Sequence, residues 1–293
     1  MSKPTLREYQ QEDVTFGNRL EAVGLFNEPR TGKTPTSITL AVNSTNNANN
    51  KIVIIAPASM LYKWKDEVET WSDLPAVVVK GTKDKRIELI DEWEEGAIIL
   101  NYECLRDFTQ KIDGVKHQRA GHYDQILRKK PMVVIVDEAH RIKARTNITA
   151  KAVQKLAKIP KRIALTGTPA PNKPEEVWAI LHWLYPNRFS SYWAWVDLHF
   201  YTSVRRYGSG SDILGFIPSH DVWIQRELNE FCTNRKRKDI MPWLPDVPAP
   251  TKIRLPLTSA QAKYIAELEE FFETENIMVQ GVIDRIMKYR RIC

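Results

Sequence analysis

The sequence predicts an α/β fold: a mostly parallel sheet with helices on both faces, followed by a C-terminal helical extension. Three observations predict it. Short apolar runs rich in Val and Ile alternate with stretches of helical length. The runs are near-continuous rather than alternating apolar with polar, as strands covered on both faces must be. Residues with recognisable chemistry fall just after the runs, where the carboxyl edge of a parallel sheet presents its loops.

The expected strands are Val23–Phe26, Ile52–Ala56, Ala76–Val79, Ala97–Leu100, Met132–Val136 and Arg162–Leu165. Between them Ser59–Trp71, Lys83–Trp93 and Thr149–Lys158 read as helices, with Ser59 as an N-cap. Asn43–Asn50 is a polar loop without chemistry. Residues 107–130 read as a polar insertion in which His117 and His122 are solvated rather than ligands. Tyr207–Ser219 contains Gly208-Ser209-Gly210-Ser211 and reads as a flexible loop. The pattern changes at Thr251, where the strand-like run Ile253–Pro256 precedes a charged helical stretch, Ser259–Cys293. The expected division is therefore a large domain over 1–250 and a connection over 251–293.

Composition narrows the classes. The chain has 293 residues, 43% of them hydrophobic, which is enough for a substantial core. A net charge of +7 leans toward a polyanionic partner, weakly, because the charge is spread along the chain. Cys104, Cys232 and Cys293 are far apart and odd in number, so neither a zinc site nor a disulfide framework is suggested. No apolar run is long enough to cross a bilayer and no signal-peptide pattern opens the chain. The expectation is a reduced, soluble, intracellular protein, cytoplasmic in a bacterium or phage host and nuclear in a eukaryote. Several of the nine tryptophans cluster between Trp178 and Trp195. Helix packing is the preferred reading for them, over stacking on bases.

The chemistry is concentrated in two places. Asn27-Glu28-Pro29-Arg30-Thr31-Gly32-Lys33-Thr34 ends as a phosphate-binding P-loop, with Asn27 in the first glycine position. Asn tolerates a left-handed backbone, so the turn survives the change. A turn running into a helix N-terminus aims N–H groups at phosphates. Lys33 then supplies a point charge to the β and γ phosphates, and Thr34 a hydroxyl to Mg²⁺. Met132-Val133-Val134-Ile135-Val136 ends on Asp137-Glu138-Ala139-His140. Asp137 is placed to hold the metal and Glu138 to orient and deprotonate an attacking water. Lys33, Asp137 and Glu138 are the expected catalytic residues, with ATP and Mg²⁺ as the expected substrate and metal.

The order of motifs resembles superfamily-two helicases, and more closely the Swi/Snf-type double-stranded DNA translocases. Leu6-Arg7-Glu8-Tyr9-Gln10 resembles the opening motif, and Asn27–Thr34 stands where the family reads D-E-M-G-L-G-K-T. Ile54–Leu61 with Trp64 resembles motif Ia, and Ile99–Glu103 the T-x-Y-E segment. Asp137–Lys143 is similar to D-E-A-H-R-[IL]-K, and Leu165–Asn172 to L-T-G-T-P-x-Q-N. Arg235–Ile240 followed by Leu244-Pro245 resembles a segment that sets Swi/Snf-type proteins apart from RNA helicases. Arg30 replaces a family glycine, Asn27 an aspartate and Pro171 a glutamine.

The resemblance implies a RecA-like lobe. Its ATP-binding set would be Arg7, Gln10, Arg30, Thr31, Gly32, Lys33 and Thr34, with Gln10 recognising adenine and Thr34 and Asp137 holding the metal. Thr166, Gly167 and Thr168 would couple the nucleotide state to a DNA track of Lys63, Trp64, Asn101, Tyr102 and Asn172. The implied partners are double-stranded DNA and a second RecA-like lobe. Ile283–Cys293 resembles the segment just before that lobe, so the chain reads as the N-terminal half of a motor. Two alternatives stand beside translocation: a strand-separating DNA or RNA helicase lobe, and a nucleotide- and DNA-binding module with negligible ATPase.

Overall fold

Seven apolar runs pair into one parallel sheet in the computed structural model. The model describes residues 3–112, 115–119, 121–204, 211–243 and 256–274. Strands in chain order are β1 (Ala22–Leu25), β2 (Ile52–Ala56), β3 (Ala76–Val78), β4 (Ala97–Asn101), β5 (Phe108–Ile112) and β6 (Val115–Arg119). They continue with β7 (Val133–Asp137), β8 (Lys161–Leu165), β9 (Phe200–Val204), β10 (Ser211–Phe216) and β11 (Cys232–Thr233). The sheet runs β11-β1-β8-β7-β2-β4-β3, with every neighbour parallel. The six expected strands are all present within a residue or so of their expected ends. The two-residue β11 carried too little pattern to be expected.

Alternation within the strands assigns the faces. Ile52, Ile54, Ile99, Ile135 and Ile163 lie in one apolar cluster with residues of α1 (Glu8–Asn18), α2 (Lys33–Asn43) and α3 (Leu61–Trp71). Val53, Ile55, Ile98, Leu100, Val134 and Val136 lie in the other. That face is covered from α4 (Lys83–Asp91), α5 (Tyr123–Arg128), α6 (Ile148–Gln154), α7 (Trp178–Leu184), α8 (Tyr192–His199) and α9 (His220–Asn229). Each such side chain fully withdrawn from water stabilises the fold by about 1.5–3 kcal/mol. Two layers of helix on one sheet therefore hold the loops at its carboxyl edge in fixed positions.

Local details differ from expectation for physical reasons. Ser59 is no N-cap: Ala58–Met60 forms a 3₁₀ turn after Pro57, and Met60 precedes α3 without a side-chain cap. The helix expected to 158 is α-helical only over Ile148–Gln154, starting on an Asn147 cap, and tightens to 3₁₀ over Lys155–Lys158. The insertion folds as a β5–β6 hairpin and returns to the core. There His122 is 7% exposed, donates its N–H to the Cys104 carbonyl and pairs with Gln125. It is a packed residue with its pKa lowered by burial, not a solvated one. Trp178, Trp183 and Trp195 are buried, in line with the packing reading.

Ser211–Phe216, expected to be loop, pairs antiparallel with β9, while residues 205–210 of that stretch lie outside the described residues. The chain divides into two units, Met1–Leu244 and Pro245–Cys293. The first holds the sheet together with α10 (Arg237–Ile240), and the second holds α11 (Ser259–Thr274). The expected run at 253–255, the pair Leu244-Pro245 and the segment 283–293 lie outside the described residues. No described helix is long and apolar enough to cross a membrane.

Candidate functional site

The loop between β1 and α2 is a tight turn with two residues in the left-handed region, Arg30 at φ 67° and Gly32 at φ 76°. Gly32 is required there. A Cβ on it would lie 2.2 Å from Gln10 Nε2. Three neighbours hold the turn. From α1, Tyr9 Oη donates to the Thr31 carbonyl (3.0 Å) and Gln10 Nε2 to the Gly32 carbonyl (3.1 Å). Gln10 Oε1 meanwhile accepts the Arg7 N–H at 2.8 Å. Gln10 is 5% exposed, so in this structure its amide grips the loop, leaving one N–H for a base.

The second neighbour is the chain after β11, which sequence reasoning placed only by resemblance. Arg235 donates its N–H to Asn27 Oδ1 (2.9 Å) and its Nε to Asp13 Oδ1 (2.6 Å). Asn27 Nδ2 reaches the other Asp13 oxygen at 2.7 Å. Asp13 is fully buried; burial raises its pKa, and the hydrogen bond and charge of Arg235 oppose the rise. Glu28 donates its N–H to the Arg235 carbonyl and accepts the Arg237 N–H at 2.8 Å. Asn27 does not take the left-handed backbone expected of it, which falls to Arg30 and Gly32; its side chain instead ties α1, the loop and the basic segment together. The third neighbour is Gly167 after β8, where a Cβ would meet Pro29 Cδ at 2.9 Å.

Lys33, first residue of α2, donates its Nζ to the carbonyls of Asn27 (2.6 Å) and Glu28 (3.0 Å). Burial lowers its pKa, opposed by the charges of Glu138, Asp137 and Glu28. At the end of β7, Asp137 accepts the Trp64 indole N–H (2.9 Å) and the Glu138 N–H (3.0 Å). Burial raises the Asp137 pKa and the Trp64 bond opposes that rise. Glu138 adopts a left-handed backbone (φ 51°), turning its exposed carboxylate off the strand axis. His140 Nδ1 lies 3.1 Å from Glu138 Oε2 and 3.1 Å from Thr166 Oγ1. Thr166 Oγ1 also accepts the Thr168 N–H at 3.1 Å.

These groups line a single open cleft of about 580 Å³ that takes in Arg30, Gly32, Lys33, Thr34, Asp137, Glu138, His140, Gly167 and Thr168. Thr31 stands behind it, 1% exposed, with its hydroxyl on the Glu28 carbonyl. Arg7 lies apart, its guanidinium 5.7 Å from the Trp243 ring centroid. His140 was not among the expected site residues, although its place two residues after Glu138 was the available signal. Among the described residues no group of three His, Cys, Asp or Glu side chains could hold a metal. The oxygens at hand are the Thr34 hydroxyl and the Asp137 carboxylate. That sparse, hard-oxygen set fits Mg²⁺, which relies on one or two carboxylates plus water and phosphate oxygens.

The expected DNA track needs correction at its two rings. Trp64 is 1% exposed and spends its indole N–H on Asp137. Tyr102 is fully buried, with its hydroxyl donated to the Asp137 carbonyl. Both rings are withdrawn from solvent, Trp64 within the lining of the cleft, and both bond to Asp137 rather than standing free for a phosphate backbone. Asn101 is half-buried and caps the 3₁₀ turn Tyr102–Leu105 by accepting the Cys104 N–H. Lys63 and Asn172 are exposed, Lys63 on the cleft wall and Asn172 bonded to Glu176.

Comparison with known proteins agrees with this geometry. The model of the SNF2-related domain matches residues 9–293. The chain is 29% identical over 313 residues to chromodomain-helicase-DNA-binding protein 8 of Danio rerio, covering 98% of this chain and 11% of that protein. It is 32% identical over 208 residues to the human chromodomain-helicase-DNA-binding protein 6, covering 66% and 7%. It is 28% identical over 224 residues to the Drosophila melanogaster homologue of transcriptional regulator ATRX, covering 71% and 17%. The chain thus spans a small part of the relatives it matches. Among solved structures, the SWI2/SNF2 ATPase core of Sulfolobus solfataricus in complex with dsDNA aligns with a TM-score of 0.60 at 25% identity. That alignment covers 99% of this chain and 58% of the archaeal one. The fold is RecA-like, and the chain belongs to the SNF2-related domain family.

Proposed function

We propose that this chain is the ATP-binding lobe of a DNA-dependent ATPase that translocates on duplex DNA without sequence specificity. The observation that carries the reading is the convergence of Lys33, Thr34, Asp137 and Glu138 on one cleft at the carboxyl edge of the sheet. The N–H groups at the start of α2 and the Lys33 ammonium would bind the phosphates. Lys33 would exchange its two carbonyl partners for phosphate oxygens, which suits a half-buried cation in need of an anion. Thr34 and Asp137 would hold Mg²⁺, whose chemistry is to neutralise charge on the phosphate oxygens. Glu138 would take the proton of the attacking water, with its carboxylate held by His140. Because His140 also touches Thr166, a change at Glu138 would reach Thr166, Gly167 and Thr168.

Duplex DNA is the proposed partner because the archaeal core that this chain resembles is described in complex with dsDNA. Lys63, Asn101 and Asn172 are the residues of the proposed track, contacting phosphates and so binding in a salt-sensitive, sequence-tolerant way. A second RecA-like lobe is proposed to complete the cleft, since the archaeal core is the longer chain. Residues 251–293 would form the connection to it, and the 293-residue chain alone would hydrolyse ATP slowly. The test is steady-state ATPase with duplex DNA, single-stranded DNA, RNA and no nucleic acid. It compares the 293-residue chain, a form extended into a second lobe and its Glu138→Gln variant. Duplex stimulation confined to the extended, Glu138-intact form is expected. Equal stimulation by RNA and duplex DNA would instead favour a helicase lobe.

A further inference from the structure

Arg30 occupies a backbone conformation that its side chain disfavours. Its φ of 67° suits glycine, and a side chain there carries a steric cost. Its guanidinium also stands without a partner, as those of Arg19 and Arg226 do elsewhere on the surface, but Arg30 alone of these three lines the cleft. Arg162, Arg188 and Arg235 are each paired with a carboxylate, whereas Arg30 has no ion pair, hydrogen bond or ring contact among the described residues. It is exposed on the lining of the nucleotide cleft. The lining carries the carboxylates Glu67, Asp137 and Glu138 against Lys33, Lys63 and Arg30. Without Arg30 a polyanion would enter a cleft in which carboxylates outnumber cations. A strained, unpaired arginine facing a phosphate site is a group waiting for its anion.

We propose that Arg30 is the residue by which this loop distinguishes a nucleoside triphosphate from a diphosphate. The inference rests on the nucleotide reading above. The N–H groups beginning α2 serve the inner phosphates, while Arg30, further out on the turn, reaches the terminal one. A planar guanidinium fork matches two oxygens of a phosphate in a way an ammonium does not. Arg30 therefore adds affinity for the triphosphate and little for the diphosphate, at the expense of strain in the empty loop.

The two halves of that statement predict effects of opposite sign. The experiment is equilibrium titration of the 293-residue chain with ATPγS and with ADP, both with Mg²⁺, alongside thermal melting. Arg30→Gly removes the strain and is expected to raise the melting temperature by about 2–4 °C. It is also expected to lower the ATPγS-to-ADP affinity ratio about tenfold or more. Arg30→Ala keeps the left-handed strain and should lower the ratio at an unchanged melting temperature. Arg30→Lys should restore only part of the ratio. An unchanged ratio in both Arg30→Gly and Arg30→Ala overturns the proposal while leaving the nucleotide site standing. A wild-type chain that binds neither nucleotide overturns the nucleotide reading on which it rests.

Discussion

Removal of the Trp64 indole N–H tests whether that side chain belongs to the proposed magnesium site or merely to the core. In Trp64→Phe the ring still fills most of its pocket, but Asp137 Oδ2 loses a donor at 2.9 Å. A hydrogen bond to a charged group contributes about 1.5–3 kcal/mol. Truncating a fully buried indole to a phenyl ring adds a packing loss of about 1–3 kcal/mol. A double-mutant cycle with Asp137→Asn, read by urea unfolding, separates the two and should return a coupling of about 1–2 kcal/mol. The pH dependence has a definite sign. Burial already holds the Asp137 carboxyl above its ordinary range, and Trp64 opposes that rise. A raised acid pKa means that its contribution to stability is fully present below the unfolded value and lost as pH climbs toward the folded one. Without Trp64 that loss extends to higher pH, so the penalty of Trp64→Phe should be small in acid and largest near neutrality. Magnesium-nucleotide affinity should show the reverse trend, worsening relative to wild type as pH falls and Asp137 keeps its proton. A coupling near zero, or a penalty independent of pH, would refute the support role and return Trp64 to plain core packing.

Other perturbations follow from the same geometry. Arg235→Ala leaves Asp13 buried with only the Asn27 amide bonded to it among the described residues, and should cost about 3 kcal/mol in urea unfolding. Asp13→Asn in the same chain should recover part of that loss. Lys161, buried with its Nζ on the carbonyls of Gly17 and Leu20, has its pKa lowered to about 8 by burial. Unfolding stability should therefore rise from about pH 8 toward the ordinary lysine value, where only the unfolded chain still holds the proton, and Lys161→Met should flatten that rise. Gly167→Ala would push a methyl group against Pro29, 2.9 Å from its Cδ. It should lower ATPase in the extended protein more than it lowers the melting temperature.

The sheet was legible in the sequence because its strands are buried on both faces. Ile52–Ala56 and Val133–Asp137 are near-continuous apolar runs, the pattern of strands covered on both faces. That Lys33, Thr34, Asp137 and Glu138 would share one cleft was legible because residues just after such runs meet at the carboxyl edge of the sheet. The support of the site was not. Trp64 and Tyr102 carry the composition of a stacking surface, and only tertiary packing turns them inward toward Asp137. The Asp13–Asn27–Arg235 network spans the whole domain in sequence and has no local period to betray it. Ser59 failed as a cap because Pro57 starts a tight turn that consumes it before the helix begins.

The supports also bear on how the proposed nucleotide site would pass its state outward. Tyr9, Gln10, Gly167 and the Arg235 segment grip the phosphate loop from three directions, so the loop has little freedom to move alone. Two routes nonetheless lead outward. One is His140, whose Nδ1 lies 3.1 Å from both Glu138 Oε2 and Thr166 Oγ1. The other begins at the carbonyls of Asn27 and Glu28, which lose a cation if Lys33 turns to a phosphate. Those same residues hold Arg235 and Arg237 through the Asn27 side chain, the Glu28 N–H and the Glu28 carboxylate. On the proposed nucleotide reading, a change in the partners of Lys33 would reach the basic segment that follows β11 through these bonds. This favours coupling through short polar relays on a rigid frame over coupling through bending of the core, because the apolar layers on both faces resist deformation.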